Sequence, residues 1–575
     1  MKLFRTLYLA LASSALLLTS CVDLDKDPSE WVHITKESEV VDLLKSSYPQ
    51  ASFQWLSEMC SDNIIDNNCP HVPYSTRKAQ TLAHYNLSTY DLFDNEIFQF
   101  APATLCTYNT DDSPGMLWSQ YYASVSSVNY ALQYIDEIGG TDNSQLSSTL
   151  RAAKGEALLI RAYDHFMLVN LFCQPYKNEE ESKADQGIAY VTEVVTTVQK
   201  DFPRGTVTET YQKIKADLEE GLSLLTDNNY EAPKYHFNTS AAHAFAARVA
   251  LYTRDWDGVI EHANAVLGTG STDMDSKLMD YSIFTECSSS TDYANAWQNP
   301  DLANNLMLTT TYSLLCRHAA GYRYATNSIP LREIFYHIGP TWSGWLANPT
   351  AIVGGFTFYR SDADYGFFPS KIMEQFEHTN KNAGIGYAHI VMRTFTATEL
   401  LLERAEAKIM KADYAGGMAD ILAYDKNRQN FAEKDKLTYS MTEPTETLLL
   451  NYYSKSTNSN CYDDWSFTQK VSSDYVIPEA AVPYMNAIND MRRFETWLEG
   501  LRWFDIKRWG MTVTHEVGTA STQYTVAPGD EKLAIEIPWE TISAGVTPSR
   551  STTSTSSDVN NAADAAGFME SIKNN

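Results

Sequence analysis

The run from Ala244 to Val266 sets the tightest limit on how this chain folds. Ala244, Ala247 and Leu251 recur at the three-and-four spacing of one helical face. The pattern breaks only at Arg254-Asp255, and Trp256, Val259, Ala263 and Val266 resume it. Helices joined by so tight a turn lie antiparallel, small residues of the first against bulky residues of the second. Leu402, Ala405 and Ile409, followed after Gly416-Gly417 by Ile421, predict another hairpin. Longer faces precede them: Trp118, Tyr122, Val125, Asn129, Leu132 and Ile135, ended by Gly139-Gly140; Gly155, Leu159, Ala162, Phe166 and Val169, stopped near Pro175; and Tyr211, Ile214, Leu218, Leu222 and Leu225. The predicted class is all-α.

Small-on-bulky hairpins of this kind match the tetratricopeptide pattern, and they must stack because none buries its apolar face alone. The uneven spacing of the pairs excludes a uniform array. Between about 273 and 390 the texture changes. Helical periodicity fades, Gly, Pro, Asn and Ser punctuate the run, and Tyr281 to Phe368 holds 17 aromatics in 88 residues, about a fifth, against 12% overall. That stretch is too aromatic for disorder and is predicted to be loop-rich and functional. From 548 onward a polar, low-complexity tail needs no core.

The N-terminus decides how the chain is handled. Lys2 and Arg5 precede the apolar run Leu7 to Leu18, which ends in Thr19-Ser20-Cys21. This is the layout of a secretory signal, and the run is shorter than the ~20 residues of a spanning helix. Small residues before Cys21 resemble the lipobox of bacterial lipoproteins, which implies cleavage before Cys21 and acylation there. Acyl chains at ~0.8 kcal/mol per methylene make a durable anchor. The acidic stretch Val22 to Pro28 reads as an exposed tether. Formal charge is −28, and −30 once Lys2 and Arg5 are removed. Such a field disfavours nucleic acid and suits neutral or cationic ligands. Setting aside Cys21, seven of the eight cysteines remain, with no CxxC or zinc spacing. Cys60 and Cys69 are candidates for a short bridge, and Cys173 and Cys316 for buried thiols.

Three blocks carry a family resemblance. They are Gly155-Glu156-Ala157 through Arg161-Ala162 to Leu168-Val169-Asn170-Leu171-Phe172; Glu399 to Ala407; and Arg492-Arg493-Phe494-Glu495 through Glu499-Gly500-Leu501-Arg502-Trp503-Phe504-Asp505-Ile506-Lys507-Arg508-Trp509-Gly510. In this order behind a lipobox they resemble the SusD/RagB family of outer-membrane nutrient-binding lipoproteins. The proline-rich close usual in that family is represented only by Ile537-Pro538-Trp539. The resemblance implies a helical, lipid-anchored protein on the outer face of the outer membrane, partnered with a SusC-like TonB-dependent transporter. It implies delivery of oligosaccharides, or in some members peptides, and no catalysis.

The expected organisation is a signal peptide over 1–20, a tether over 21–37, a helical region with hairpins over 38–272, the aromatic segment over 273–390, a C-terminal region over 391–547 and the tail over 548–575. Glu499, Arg502, Asp505 and Arg508 stand three apart and predict ion pairs that hold the scaffold, with Trp503 and Trp509 packed alongside. Arg161 and Asp164 take the same reading, and Trp118 reads as core. An aromatic ring face is what a pyranose ring needs, so Trp297, Trp342 and Trp345, with Tyr312, Tyr322 and Tyr324, are the candidate ligand-binding residues. The segment Asp62 to Tyr108 is a second candidate wall, with Asp62, Asn63 and Tyr74 foremost. The oxygens of Asp62, Asn63, Asp66 and Asn67 raise calcium, but they form no EF-hand loop. No HExxH, GxSxG, phosphate-binding glycine loop or GxGxxG occurs, so nothing points to a cofactor. A glycoside hydrolase using paired carboxylates and a protein-binding scaffold stay open beside the nutrient binder.

Overall fold

The protein is described by a computed structural model over residues 34–70, 87–195, 202–320, 323–335, 342–343, 357–359, 366–434, 440–441, 444–454 and 471–551. Helices dominate among these residues, as the spacing predicts. Helices α1 (Glu37–Lys45) and α2 (Gln54–Met59) lead to strand β1 (Ile65–Asp66) and helix α3 (Phe93–Phe98). Three long helices follow: α4 (Pro114–Gly139), α5 (Ser148–Phe172) and α6 (Val207–Leu224), with α5 packed between its neighbours. Every residue of α5 from Gly155 to Phe172 is buried, which makes it the axis of the molecule. Its polar groups are therefore paired. Arg161 forks onto Asp217 of α6 at 2.7 Å through both Nε and Nη2, and Asp164 accepts from Ser124 of α4. Gly155 and Gly221 let the α5 and α6 backbones touch, since a Cβ on Gly155 stands 2.9 Å from the Gly221 carbonyl oxygen.

The first hairpin is α7 (Thr239–Tyr252) and α8 (Trp256–Leu267). Beyond it lies the segment expected to be loop-rich, whose described residues carry short helices and strands between loops. It contains α9 (Ser290–Trp297), β2 (Asn305–Tyr312), α10 (Leu315–Ala319), β3 (Tyr324–Ala325) and α11 (Ser328–Phe335). Strands β4 (Trp342–Ser343), β5 (Thr357–Tyr359), β6 (Phe367–Pro369), β7 (Gln375–Asn380) and β8 (Ile385–Thr396) come next. An antiparallel sheet in the order β2-β8-β7 is its backbone, β5 pairs with β6, and β4 pairs with β9 (Ser440–Met441). Residues 305–309 of β2 are buried on both faces, so no alternation marks the strand in the sequence.

Strand β8 runs directly into α12 (Ala397–Met410), which with α13 (Tyr414–Lys434) forms the second hairpin. Helix α12 stacks on α7 and α8. The two hairpins share one turn. Arg254 and Ala412 both adopt left-handed backbone, at φ 58° and 62°. Asp255 and Asp413, one residue on, each accept a backbone N–H three residues ahead, from Gly258 and Gly416. Gly416-Gly417 is therefore not the break the sequence suggests; it lies in the first turn of α13, where a Cβ on Gly417 meets Ile409 Cδ1 at 2.4 Å. The chain closes through α14 (Glu446–Tyr453), α15 (Val482–Glu495), α16 (Arg502–Trp509), the hairpin β10 (Val513–Val517) and β11 (Thr522–Val526), and α17 (Trp539–Ser543). The expected free tail is docked at its start. Arg550 is buried and donates to the carbonyls of Ala534 and Phe100, and Ser549 to that of Phe172.

Buried Arg–carboxylate forks join these elements, and the three sequence blocks are where they sit. Arg508 gives both terminal nitrogens to Glu406 of α12 at 2.6 and 2.8 Å and its Nε to Asp505 at 2.7 Å. Arg492 of α15 holds the other oxygen of Asp505 at 2.9 Å, and Trp509 Nε1 donates to Glu406. Arg404 and Lys408 share Asp420 across the second hairpin. Glu499 lies before α16 and pairs with Arg393, and Arg502 pairs with Asp62, so only Asp505 and Arg508 make the predicted three-apart contact within the helix. Burial pushes the Asp505 carboxyl up, but Arg492 and Arg508 outweigh it and hold it below the usual carboxylate range. Cys60 and Cys69 are both free and buried, so the short bridge is absent; Cys173 and Cys316 are buried thiols. Among the described residues no helix is long and apolar enough to cross a membrane.

Breaking one fork tests whether the network carries the fold. Arg508→Met leaves Glu406 buried and short of its partner, and is expected to lose about 3–5 kcal/mol in urea unfolding. Adding Glu406→Leu should recover much of that loss. A single variant within ~0.5 kcal/mol of the parent sinks the idea.

Candidate functional site

The two walls named from sequence meet along one seam. The Tyr312 amide donates to the Gln50 carbonyl at 2.7 Å, beside a parallel bridge between Ala51 and Tyr312. Further on, the Thr326 hydroxyl donates to the Asn63 carbonyl, β1 pairs with β3 (Ile65 with Ala325, Asp66 with Tyr324), and Asn327 donates to the Asn67 side chain at 2.9 Å. Cations fill the carboxylates of this seam. Arg502 forks onto Asp62 at 2.7 Å, and Arg323 chelates Asp66 at 2.8–3.0 Å. Burial raises the Asp62 carboxyl, but Arg493 and Arg502 more than offset this and hold it below its usual range. Guanidinium groups thus stand where calcium was considered.

Several candidate residues turn out to be framework. Trp297 is 2% exposed, packed in a satellite core with Met279, Tyr281 and Phe284 and covered by the Arg393 guanidinium at 4.6 Å, so it offers a ligand no ring face. Tyr324 is buried against Phe98 with its hydroxyl on Asn95. Asn63 is fully buried, donating to Glu58 and accepting from Arg493, and Asp62 is spent on Arg502. In each case the reason is the same: ring or amide sits at a junction of elements, where solvent is excluded. Cys21, Tyr74, Tyr322 and Trp345 lie outside the described residues, and Trp342 is described only through its backbone pairing with Met441.

Tyr312 is the candidate that faces a groove. Its ring meets Tyr387 edge-on, centroids 4.7 Å apart and planes at 85°. Register explains the encounter. Tyr312 pairs with His389 and Glu377 with Tyr387, so Tyr312, Tyr387 and Glu377 share one face of the sheet. The groove holds about 300 Å³ and is lined also by Lys45, Gln50 and Tyr235. Its floor is fixed: buried Glu156 accepts from Tyr48 at 2.6 Å, from His236 at 2.9 Å and from Tyr230, whose ring stacks on His236. Tyr312 and Glu377 hold the Tyr387 phenol above its ordinary range. Sequence reasoning missed Tyr387 because it stopped at the aromatic excess; the alternation Tyr387-His389 within a strand was the available signal. A larger cavity of about 930 Å³ lies between α4 and the C-terminal segment, lined by Trp118, Tyr122, Val191, Arg204 and Val546. Trp118, read as core, is half-buried at its edge. Arg204 there is spent on the carbonyls of Gly187 and Thr547.

Along the same seam His318 is enclosed. Trp55 stacks on it at 5.0 Å, Tyr90 lies at 4.6 Å, and Asp94, Asp112 and Asp91 stand 3.6, 3.7 and 3.8 Å from its nitrogens. Burial alone lowers an imidazole, but these carboxylates prevail and raise His318 above 6.5, while burial lifts Asp112 to about 6.

Two family models match the chain. One, described as starch-binding and associating with the outer membrane, matches residues 43–251; the other, described as the SusD family, matches 350–569. None of the curated proteins matches it. Among solved structures, a SusD superfamily protein from Bacteroides vulgatus is similar over 91% of this chain and 100% of its own, at TM-score 0.58 and 17% identity. A putative sugar binding protein from the same species is similar over 88% and 96%, at 0.56 and 17%. A laminarin binding SusD-like protein is similar over 89% and 97%, at 0.50 and 14%.

The His318 site makes a pH prediction. Its folded pKa lies above the unfolded value near 6.5, so its contribution is full below that pH and is lost as pH rises through the folded value. The stability advantage of the parent over His318→Gln should therefore be larger at pH 6.5 than in alkaline buffer, as read from urea midpoints. An advantage that stays constant or grows with pH rejects a charged His318.

Proposed function

Because the chain belongs to the SusD/RagB family, we propose that it is a cell-surface lipoprotein that binds oligosaccharides and hands them to a SusC-like TonB-dependent transporter. The observation that carries this reading is the Tyr312–Tyr387 corner in an open groove also lined by Tyr48 and His236, both held by buried Glu156. A sugar ring needs an aromatic face for its C–H side and fixed polar groups for its hydroxyls. Lys45 and Glu377 put both signs of charge on the rim, which suits a neutral ligand. The starch-binding description of the matched family and the laminarin-binding neighbour point the same way. Tyr74, Tyr322, Trp342 and Trp345 remain proposed contacts on the same grounds of ring chemistry. A peptide is the second reading, because Lys45 and Glu377 would also receive groups of opposite charge on a short peptide. The protein is a binder rather than an enzyme in either case.

Calorimetry against a panel of neutral glycans and short peptides tests the reading. Tyr312→Ala and Tyr387→Ala should each lose about 1.5–3 kcal/mol of glycan binding without lowering the melting temperature. Added salt should change affinity little, since stacking is not screened. Normal binding in both variants moves the site elsewhere, peptide retention without glycan retention selects the second reading, and product release from any glycan would make the protein a hydrolase.

Anchoring and partnership are tested in the source cell. Cys21→Ala should release the chain from the membrane fraction, and gentle detergent extraction should co-purify a barrel transporter through an interface of more than ~1,000 Å². A variant that still sediments and takes up fatty acid, or a chain recovered alone under conditions that keep such complexes, counts against each part.

A further inference from the structure

The first hairpin carries a polar pair on its outer side that the scaffold does not use. His243 of α7 and His262 of α8 meet nitrogen to nitrogen, Nδ1 to Nδ1 at 3.1 Å, with ring centroids 5.3 Å apart and planes at 41°. Both rings are half-buried and line a groove of about 360 Å³ whose walls are Leu222 and Leu225, with Glu219 of α6 and Thr239 at the rim. Partial burial lowers both imidazoles below their ordinary value, and His243 lowers His262 further. One neutral ring donates its Nδ1–H to the other's Nδ1, and once that proton sits on Nε2 instead, both Nδ1 lone pairs are open to a cation. Zinc–imidazole bonds of ~2.0–2.1 Å place two nitrogens on one ion ~2.9–3.4 Å apart for angles from square-planar to tetrahedral. The observed spacing lies inside that window.

We propose that His243 and His262 form a two-imidazole site for a borderline divalent transition metal, Cu²⁺ or Zn²⁺. Imidazole favours these ions over Mg²⁺ and Ca²⁺, which want oxygen. Among the described residues no third His, Cys, Asp or Glu stands close enough to complete the shell. Water would fill the open positions of the shell. A metal bound there would bridge the two helices of the hairpin.

The test uses the full mature chain without a polyhistidine tag, titrated with Cu²⁺ or Zn²⁺ alone in calorimetry. The expected result is one equivalent bound, Cu²⁺ tighter than Zn²⁺, unaffected by excess Mg²⁺. His243→Gln and His262→Gln should each weaken it by roughly tenfold or more, since loss of even an outer partner costs 10–100-fold. Metal-free melting curves of the variants check that they fold. Independently of any variant, the Cu²⁺ electron spin resonance spectrum of the parent should show hyperfine coupling to two imidazole nitrogens. A parent that binds no ion, a double variant that titrates like the parent, or a spectrum with oxygen ligands alone overturns the site.

Discussion

A buried charge needs a partner, most often an opposite charge and otherwise backbone carbonyls, and that constraint organises this protein. Arg508 reaches Glu406, Arg161 reaches Asp217, Arg248 reaches Glu399 and Arg502 reaches Asp62, each pair joining elements far apart in the chain. Helix faces of alanine and leucine slide past one another at small cost. A two-pronged fork closes in one register only. The apolar faces supply the stacking, and the forks choose which stack forms. They tie α12 to α7 through Arg248, to α13 through Asp420 and to α16 through Arg508.

The same division explains what could be read in advance. The helices from Trp118 to Val266 were legible because apolar residues repeat with the helical period, even in α5, which is buried on all sides from Gly155 to Phe172. The arginines and carboxylates of the last block were recognised as scaffold, but their partners were not. An ion pair spanning a hundred residues or more leaves no trace in local spacing, whereas the three-apart alternation of Glu499, Arg502, Asp505 and Arg508 suggested neighbours that mostly do not touch. The sheet was illegible for the opposite reason to the helices: β2 is covered on both sides, so the alternation that announces a strand is missing.

Ligand-facing residues were harder still. Aromatic excess marked the right stretch of chain but cannot say which way a ring faces. Trp297 and Tyr324 ended beneath the stretch, and Tyr312 at its edge. What separates them is register. Trp297 closes a short helix against Tyr281 and Phe284, whereas Tyr312 is the last residue of β2, where the pairing with β8 brings Tyr387 alongside. The polar floor beneath them was out of reach of sequence reading, because Tyr48, Glu156 and His236 come from three distant stretches of chain and make no motif.

The join between β8 and α12 has a consequence for how such a chain can vary. Thr396 is both the last residue of the strand and the cap of the helix, its hydroxyl accepting the Glu399 amide at 3.2 Å. At the other end of β8, the turn from β7 passes through Gly384 with nothing around it. Descendants can lengthen that outer turn freely and reshape whatever it approaches. One extra residue after Thr396 is a different matter. It would rotate α12 by about 100° and swing Glu399 and Glu406 off their arginines together. Divergence is thereby steered to the rim of the sheet, while the strand-to-helix junction is frozen in length.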